Sequence, residues 1–571
     1  MAFVRVVETK SSTGEVHRYV RVVENRRIKG RTSQRVIANL GNINALRKDI
    51  KKIVNGLLRV VDERPIVFAD DCSALGTVEF GVRYVVEALW GELELDRVIK
   101  RQLKLKRAKL SYERWIRMMV VNKVSDPRSK LGIFEWLKGV WWPSHGFDGG
   151  VVDETREPEA HLAICKREVI KFYRAMDHLI SMKEEVERHL YLKLRDLLNL
   201  KVDLVFYDVT SSYFEGAGPE GFATLGYSRD HEPGKRQVVI GLIMCNGLPI
   251  GHEVFEGSRL DKETVKDIVK KLKEEFAINR CIFVGDRGLV TKENLKELEG
   301  NGFDSILALK RRRNKQVREL LLGRGPLILC RESEDLEWRE VIGGDGIRYI
   351  ICRNPHVAKE QKARREKDLR ELELELRELK KKVDKKKRPS IKQVVRQVEK
   401  ILSHKHGRRL LEYKVDEKTR KFEYYRKQEA IELEEALDGV YILRAKEEEL
   451  SPLKIIKAYK ELGDIERAFR IMKSVLDLRP FYHHLEHRIR AHAFICFLAY
   501  LIEKYTEQAL KRTEAGLSAE KAFNSLKNMG VAVMDIGQER YGYVTEPTFW
   551  QQRILKALKI PIPSRILIEQ S

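Results

Sequence analysis

The sequence predicts an α/β protein built on a mixed sheet flanked by helices. An inserted β-plus-helical arm interrupts the sheet, and a small β-rich module and a helical block precede it. Three observations carry that expectation. Four short apolar runs, Leu204 to Val209, Cys281 to Gly285, Phe303 to Leu309 and Val440 to Leu443, show the near-continuous hydrophobicity of strands covered on both faces. Asn246-Gly247, set between Gln237 to Cys245 and Leu248 to Phe255, is a strong hairpin signal. Helical periodicity separates these runs, as in 262–276, where Val265, Ile268, Val269 and Leu272 form a stripe behind Asp261 as N-cap.

Composition narrows the class. At 571 residues the chain is too long for one ordinary core, and the length prior is roughly three or four domains. An apolar fraction of 43% excludes wholesale disorder, while 110 Lys plus Arg against 86 Asp plus Glu leaves +24, a field suited to a polyanion such as nucleic acid. The start has no apolar signal region, and the longest apolar run, Ala491 to Leu501, is too short to span a bilayer. A soluble, cytoplasmic protein with no membrane partner is expected. Seven widely spaced cysteines without a Cys-x-x-Cys pair argue against a zinc ribbon or a secreted disulfide framework.

Taken in order, residues 1–60 begin with a three-stranded meander over Phe3 to Glu8, Val16 to Glu24 and Ser33 to Leu40. Arg18, Arg21, Arg26, Arg27, Lys29, Arg31 and Arg35 make it basic, which suits either a DNA-end contact or a solvated surface. Residues 61–155 read as a helical domain ending in Trp136, Trp141 and Trp142, core residues rather than base-stacking platforms. Residues 156–309 hold the first part of the sheet, in the order β-β-β-α-β-α-β. Residues 310–437 form the insertion: Lys310-Arg-Arg-Arg313, strand-like pieces near Leu327 to Cys330 and Arg348 to Cys352, then a charged helical run from Ala358 to Ile401. Residues 438–500 resume the sheet, and 501–571 read as a C-terminal helical region.

Two features in this layout carry chemistry. Asp208 interrupts an otherwise apolar strand, and burying an unpaired carboxylate costs several kcal/mol, so it needs a cation, a metal or an open strand end. Asp286 ends a second such strand. Beyond Ser451-Pro452 a single long helix is expected, with Tyr459, Glu466 and Lys473 recurring every seven residues along one stripe. Glu466 could point back at the two strand ends, or Glu466, Arg470 and Lys473 could form a surface charge ladder. His483, His484, His487 and His492 lack further ligands and suit packing or phosphate contacts better than zinc.

The chain resembles DDE insertion-sequence transposases of the branch with a Tyr-x2-Arg-x3-Glu-x6-Lys signature, the IS-four-like superfamily. Here the signature reads Tyr459-x2-Leu462-x3-Glu466-x6-Lys473, with Leu462 in place of the Arg. Phe206-Tyr-Asp208-Val-Thr210, Val284-Gly-Asp286-Arg-Gly288, Arg479-Pro-Phe-Tyr-His483, Arg488-Ile-Arg-Ala-His492 and Thr545-Glu-Pro-Thr548 follow the family's order. The resemblance implies a ribonuclease-H-like core with Asp208, Asp286 and Glu466 as an acidic triad holding two Mg²⁺ ions, Mn²⁺ being able to substitute. Such a pair, about 3.5 to 4 Å apart, activates the attacking water or 3′-hydroxyl and stabilises the leaving oxygen. The same resemblance makes Tyr459 and Lys473 DNA-binding candidates, with Arg470 or Arg467 as substitutes for the missing Arg. Arg287, Lys310, Arg311, Arg312 and Arg313 join them as candidates. It implies strand cleavage at the element's terminal inverted repeats, strand transfer into target DNA by a homodimer that synapses two ends, and a nucleoid-associated setting. The alternatives are a ribonuclease-H-fold nuclease without strand transfer and a domesticated, inactive DNA-binding protein.

Overall fold

The computed structural model describes residues 2–12, 14–28, 31–61, 66, 72–153, 155–198, 204–309, 328–329, 336–344, 346–385, 390–416, 418, 420–513, 516–536 and 539–568. The N-terminal meander is present as β1 (Ala2–Lys10), β2 (Val16–Ile28) and β3 (Arg31–Asn42), an antiparallel sheet in chain order. Its strands are longer than the sequence suggested, because Asn25 to Ile28 of β2 pair with Gln34 to Arg31 of β3 and carry the ladder out to the turn.

The block expected to be helical starts differently. Cys72–Glu79 is a strand, β4, and it forms the edge of a sheet whose other strands come from the far end of the chain. The region expected to be a helical tail supplies them: β16 (Gly530–Ile536), β17 (Glu539–Val544) and β18 (Ile566–Ile568) complete a four-stranded sheet in the order β18-β17-β16-β4. Local pattern could not reveal this, since each strand is short and its partner lies hundreds of residues away.

The central sheet has nine strands. β5 (Leu204–Tyr213), β6 (Gln237–Cys245), β7 (Leu248–Glu256), β8 (Ile282–Gly285) and β9 (Asp304–Ala308) follow the expected order, with helices Asp261–Glu274 and Lys292–Gly300 between the last three. β10 (Ile328–Leu329), β11 (Glu337–Ile342) and β12 (Arg348–Arg353) extend this same sheet through β15 (Val440–Lys446), giving β10-β11-β12-β15-β9-β8-β5-β6-β7. The sheet pieces assigned to the insertion therefore belong to the core. What projects is Pro355–Asp384 and Ile391–Leu402 with the hairpin β13 (Leu411–Val415) and β14 (Phe422–Arg426). Leu369, Leu372, Leu376, Val398 and Phe422 give this arm its own small core. Arg365 Nη1 donates to both oxygens of Asp438, at 2.8 and 2.7 Å, and ties the arm to the foot of β15.

Two cores cover the sheet, and β5 contributes to both by alternation. Val205, Tyr207 and Val209 pack with Val265, Ile268 and Leu298 on one side. Phe206 packs on the other, where the buried helix Glu486–Arg512 joins the sheet to the N-terminal helices through Trp90, Trp115 and Phe172. The helical block and the sheet thus share one continuous core. No helix among the described residues is long and apolar enough to cross a membrane.

Beneath the sheet lies a buried charge network. Glu187, fully buried, accepts from the His252 backbone N–H at 3.0 Å and its Nδ1 at 2.7 Å, and pairs with Lys183 and Lys271 at 3.0 and 2.7 Å. Burial alone would raise its carboxyl pKa, but the two lysines and His252 hold it well below the usual range. Glu253 and Glu275 also pair with these lysines, at 2.7 to 2.9 Å, so removing Glu187 takes away the one fully buried carboxylate of the network and the acceptor of His252 Nδ1. Glu187→Ala should cost ~3–5 kcal/mol in urea unfolding of the full chain. Glu546→Ala, which breaks an exposed pair with Arg565, should leave the midpoint in place.

Candidate active site

The pairing register decides where the acidic residues meet. β5 and β8 run parallel, with Phe206 beside Val284 and Tyr207 beside Gly285, so the next residues, Asp208 within β5 and Asp286 just past the end of β8, follow side by side. Both continue the face of Phe206 and Val284, the face that the helices Pro452–Glu461 and Gly463–Ser474 cover. A cavity of about 510 Å³ opens there, lined by Asp208, Asp286, Arg287, Tyr459 and Glu466.

Those two helices are not the single straight helix expected. Leu462 N–H bonds to Tyr459 O and Ile465 N–H to Leu462 O, tight i→i−3 turns at a Leu-Gly step that breaks the helix. The seven-residue stripe is consequently split, and its members do different things. Tyr459 Oη donates to Asp286 Oδ1 at 3.3 Å. Glu466 is exposed and lines the cavity. Lys473 is buried, its Nζ donating to Thr210 Oγ1 at 2.7 Å and Asp230 Oδ1 at 2.8 Å.

The electrostatics are those of a site short of positive charge. Burial first, and then the neighbouring Asp286, push the Asp208 carboxyl up to about 7, against the opposing pull of the Val209 backbone N–H and Arg229. Burial and Asp286 likewise push the Tyr459 hydroxyl up, keeping it a donor. Paired hard-oxygen donors of this kind fit a divalent cation, whose charge would relieve their repulsion. Glu466 stands at the same cavity without converging fully: among the described residues no three His, Cys, Asp or Glu side chains are placed to hold one ion.

Of the other candidates, Arg287 is exposed at the cavity and Arg470 is exposed on the helix Gly463–Ser474. Lys310, Arg311, Arg312 and Arg313 lie outside the described residues. Lys473 is engaged internally rather than presented to solvent. Sequence reasoning missed its partner: Asp230, in the loop between β5 and β6, also accepts from Arg479 Nη1. Arg229 beside it donates its backbone N–H to Ser211 Oγ at 2.8 Å and its guanidinium to Asp261 at 2.5 Å. The adjacent charges Arg229-Asp230 ahead of an apolar strand were the available signal, but nothing in their spacing linked them to Lys473.

No curated protein matches the chain. Residues 4–70 match the family model described as the IS1634 family transposase N-terminal domain, which covers the basic meander. Residues 202–502, more than half of the chain, match the transposase DDE domain and contain β5, β8, both cavity helices and the Asp230 loop. The chain belongs to the DDE transposases of insertion sequences.

Proposed function

We propose that Asp208, Asp286 and Glu466 are the acidic triad of this transposase, set on a ribonuclease-H-like sheet and holding Mg²⁺, with Mn²⁺ able to substitute. The observation that carries this reading is the meeting of all three around one cavity, two of them abreast on parallel strands. When bound, the divalent ions supply positive charge for the attacking oxygen and for the charge that develops on phosphorus. The protein's own groups do the rest. Tyr459 fixes the rotamer of Asp286 through its hydrogen bond, in the way an outer-sphere partner orients a metal ligand. Asp208, held toward its protonated form first by burial and then by Asp286, would have to be ionised to ligate a divalent cation. Arg287, exposed at the cavity's edge, is placed to meet a DNA phosphate. Asp230 holds Lys473 and Arg479 together beside Thr210, two residues beyond Asp208. The substrate on this reading is the element's terminal inverted repeats and then target DNA, synapsed by a homodimer.

Asp208→Asn, Asp286→Asn and Glu466→Gln should each lower Mg²⁺-dependent cleavage of an end-bearing duplex by at least ~10²-fold while end binding in a gel-shift assay persists. Cleavage retained in any one of them removes that residue from the triad. Pre-cleaved ends should give covalent joint products with the wild-type protein, whereas a nuclease without strand transfer gives none. Tyr459→Phe should weaken the Mg²⁺ requirement curve by about 10–100-fold with the sheet intact.

The raised Asp208 pKa has a sign in stability. The folded chain keeps a proton that the unfolded chain releases near its ordinary value, so stability falls as pH rises from about 4 through about 7. In EDTA, Asp208→Asn should therefore melt at the same temperature as wild type near pH 4 and above it near pH 8. Saturating Mg²⁺ should close that gap by stabilising wild type alone. Equal midpoints across the range would disprove the buried-pair account.

A further inference from the structure

The segment after Lys473 returns to the catalytic strand. Phe481 N–H donates to Tyr213 O at 2.9 Å and Glu215 N–H to Phe481 O at 3.0 Å, so this segment is zipped onto the end of β5. Behind it lies a cluster of basic side chains that the triad does not use. Lys123, Lys130 and His492 are only 2%, 5% and 8% exposed. The His483 and His492 rings stand 5.5 Å apart, with His492 edge-on to Phe481 at 5.3 Å.

Their hydrogen-bonding capacity is largely unspent. Lys123 Nζ donates to the Asp477 carbonyl at 3.0 Å and stands 3.8 Å from Asp477 Oδ2. Among the described residues no hydrogen-bond or ion-pair partner stands against Lys130; His492 Nδ1 is buried without one, while the rest of that ring meets Cys496 Sγ at 4.0 Å through Nε2 and the Leu478 backbone. The carboxylate that offsets the cluster, Asp477, keeps 55% of its side chain in solvent, so the cluster borders the surface there. Two lysines and two imidazoles thus stand within electrostatic reach of one another beside one half-solvated anion. Burial and Lys123 push Lys130 down to about 7, and burial with both lysines pushes His483 down to about 3.

A buried ammonium is costly unless it sheds its proton or an anion joins it, and a bound anion would let Lys130 stay charged. A metal is a poor occupant: the lysines repel a cation, and no three described His, Cys, Asp or Glu side chains are placed to hold one. A tetrahedral oxyanion fits, because several acceptor oxygens can take N–H groups from Lys130, Lys123 and His492 at once. We propose that Lys123, Lys130, His483 and His492 form a second anion site that binds a phosphate group at the far end of the Asp208 strand. The phosphate belongs either to the DNA backbone or to free inorganic phosphate, and the two sources separate experimentally.

The test uses the full chain and Lys130→Met, which removes the ammonium and keeps an unbranched stem in place. Inorganic phosphate, compared with chloride at equal ionic strength, should raise the wild-type melting midpoint and leave Lys130→Met unmoved. With a short end-bearing duplex, the plot of log affinity against log salt should be shallower for Lys130→Met by about 1 if the site takes a DNA phosphate. A phosphate response with equal slopes assigns the site to free phosphate. Identical phosphate shifts and identical slopes in the two proteins overturn the proposal. Should Lys130→Met fail to fold, acylation of Lys130 in the wild-type chain, followed by mass spectrometry, decides the matter: phosphate or duplex must slow it, and an unchanged rate overturns the site.

Discussion

Two carboxylates abreast in the middle of a sheet set the terms for everything near them. Parallel pairing of β5 with β8 leaves Asp208 and Asp286 on one face of neighbouring strands, where each raises the cost of ionising the other. Such a pair is stable in the folded chain only if one member keeps a proton or a cation arrives. Apolar neighbours sharpen the choice, since Val205, Tyr207 and Val209 seal the opposite face of β5 and leave no basic side chain of that strand to neutralise Asp208. Arg229 lowers the Asp208 pKa but is spent on Asp261.

The covering helices follow from the same constraint. A continuous helix from Pro452 to Ser474 would carry Tyr459, Glu466 and Lys473 along one line; the Leu462-Gly463 step interrupts that line. Tyr459 reaches Asp286, Glu466 reaches the shared cavity, and Lys473 reaches Thr210 and Asp230. The long buried helix Glu486–Arg512 then joins the two helices to the N-terminal helices through one core, so the site's geometry depends on residues hundreds of positions away in sequence.

Much of this was legible in the sequence. The apolar runs and the Asn246-Gly247 turn marked the β5 to β9 order, and the isolated aspartates in them marked the cavity. What escaped was long-range. β4 pairs with β16, and β10 to β12 extend the main sheet, because a strand's partner is chosen by the closing core and not by its own periodicity. The helix break escaped because glycine lowers helix propensity by only about 1 kcal/mol, too little for pattern to reveal. Asp230 escaped because a single carboxylate in a loop carries no period at all.

The structure treats its buried charges in two opposite ways. Glu187 is enclosed by Lys183, Lys271 and His252, and Asp230 by Lys473 and Arg479; these groups are neutralised from within and organise the fold. Asp208 with Asp286, and Lys123 with Lys130, are like-charged pairs that internal partners offset only in part. A chain able to satisfy Glu187 so completely has no physical need to leave those pairs short. Their deficits are of opposite sign and both are tied to β5, one at its middle and one beyond its end. Groups packed beside the middle of β5 and beside the segment zipped to its end thus differ in the charge they leave unmet, negative at the carboxylates and positive at the lysines, a division suited to a polyanion that carries its own cations.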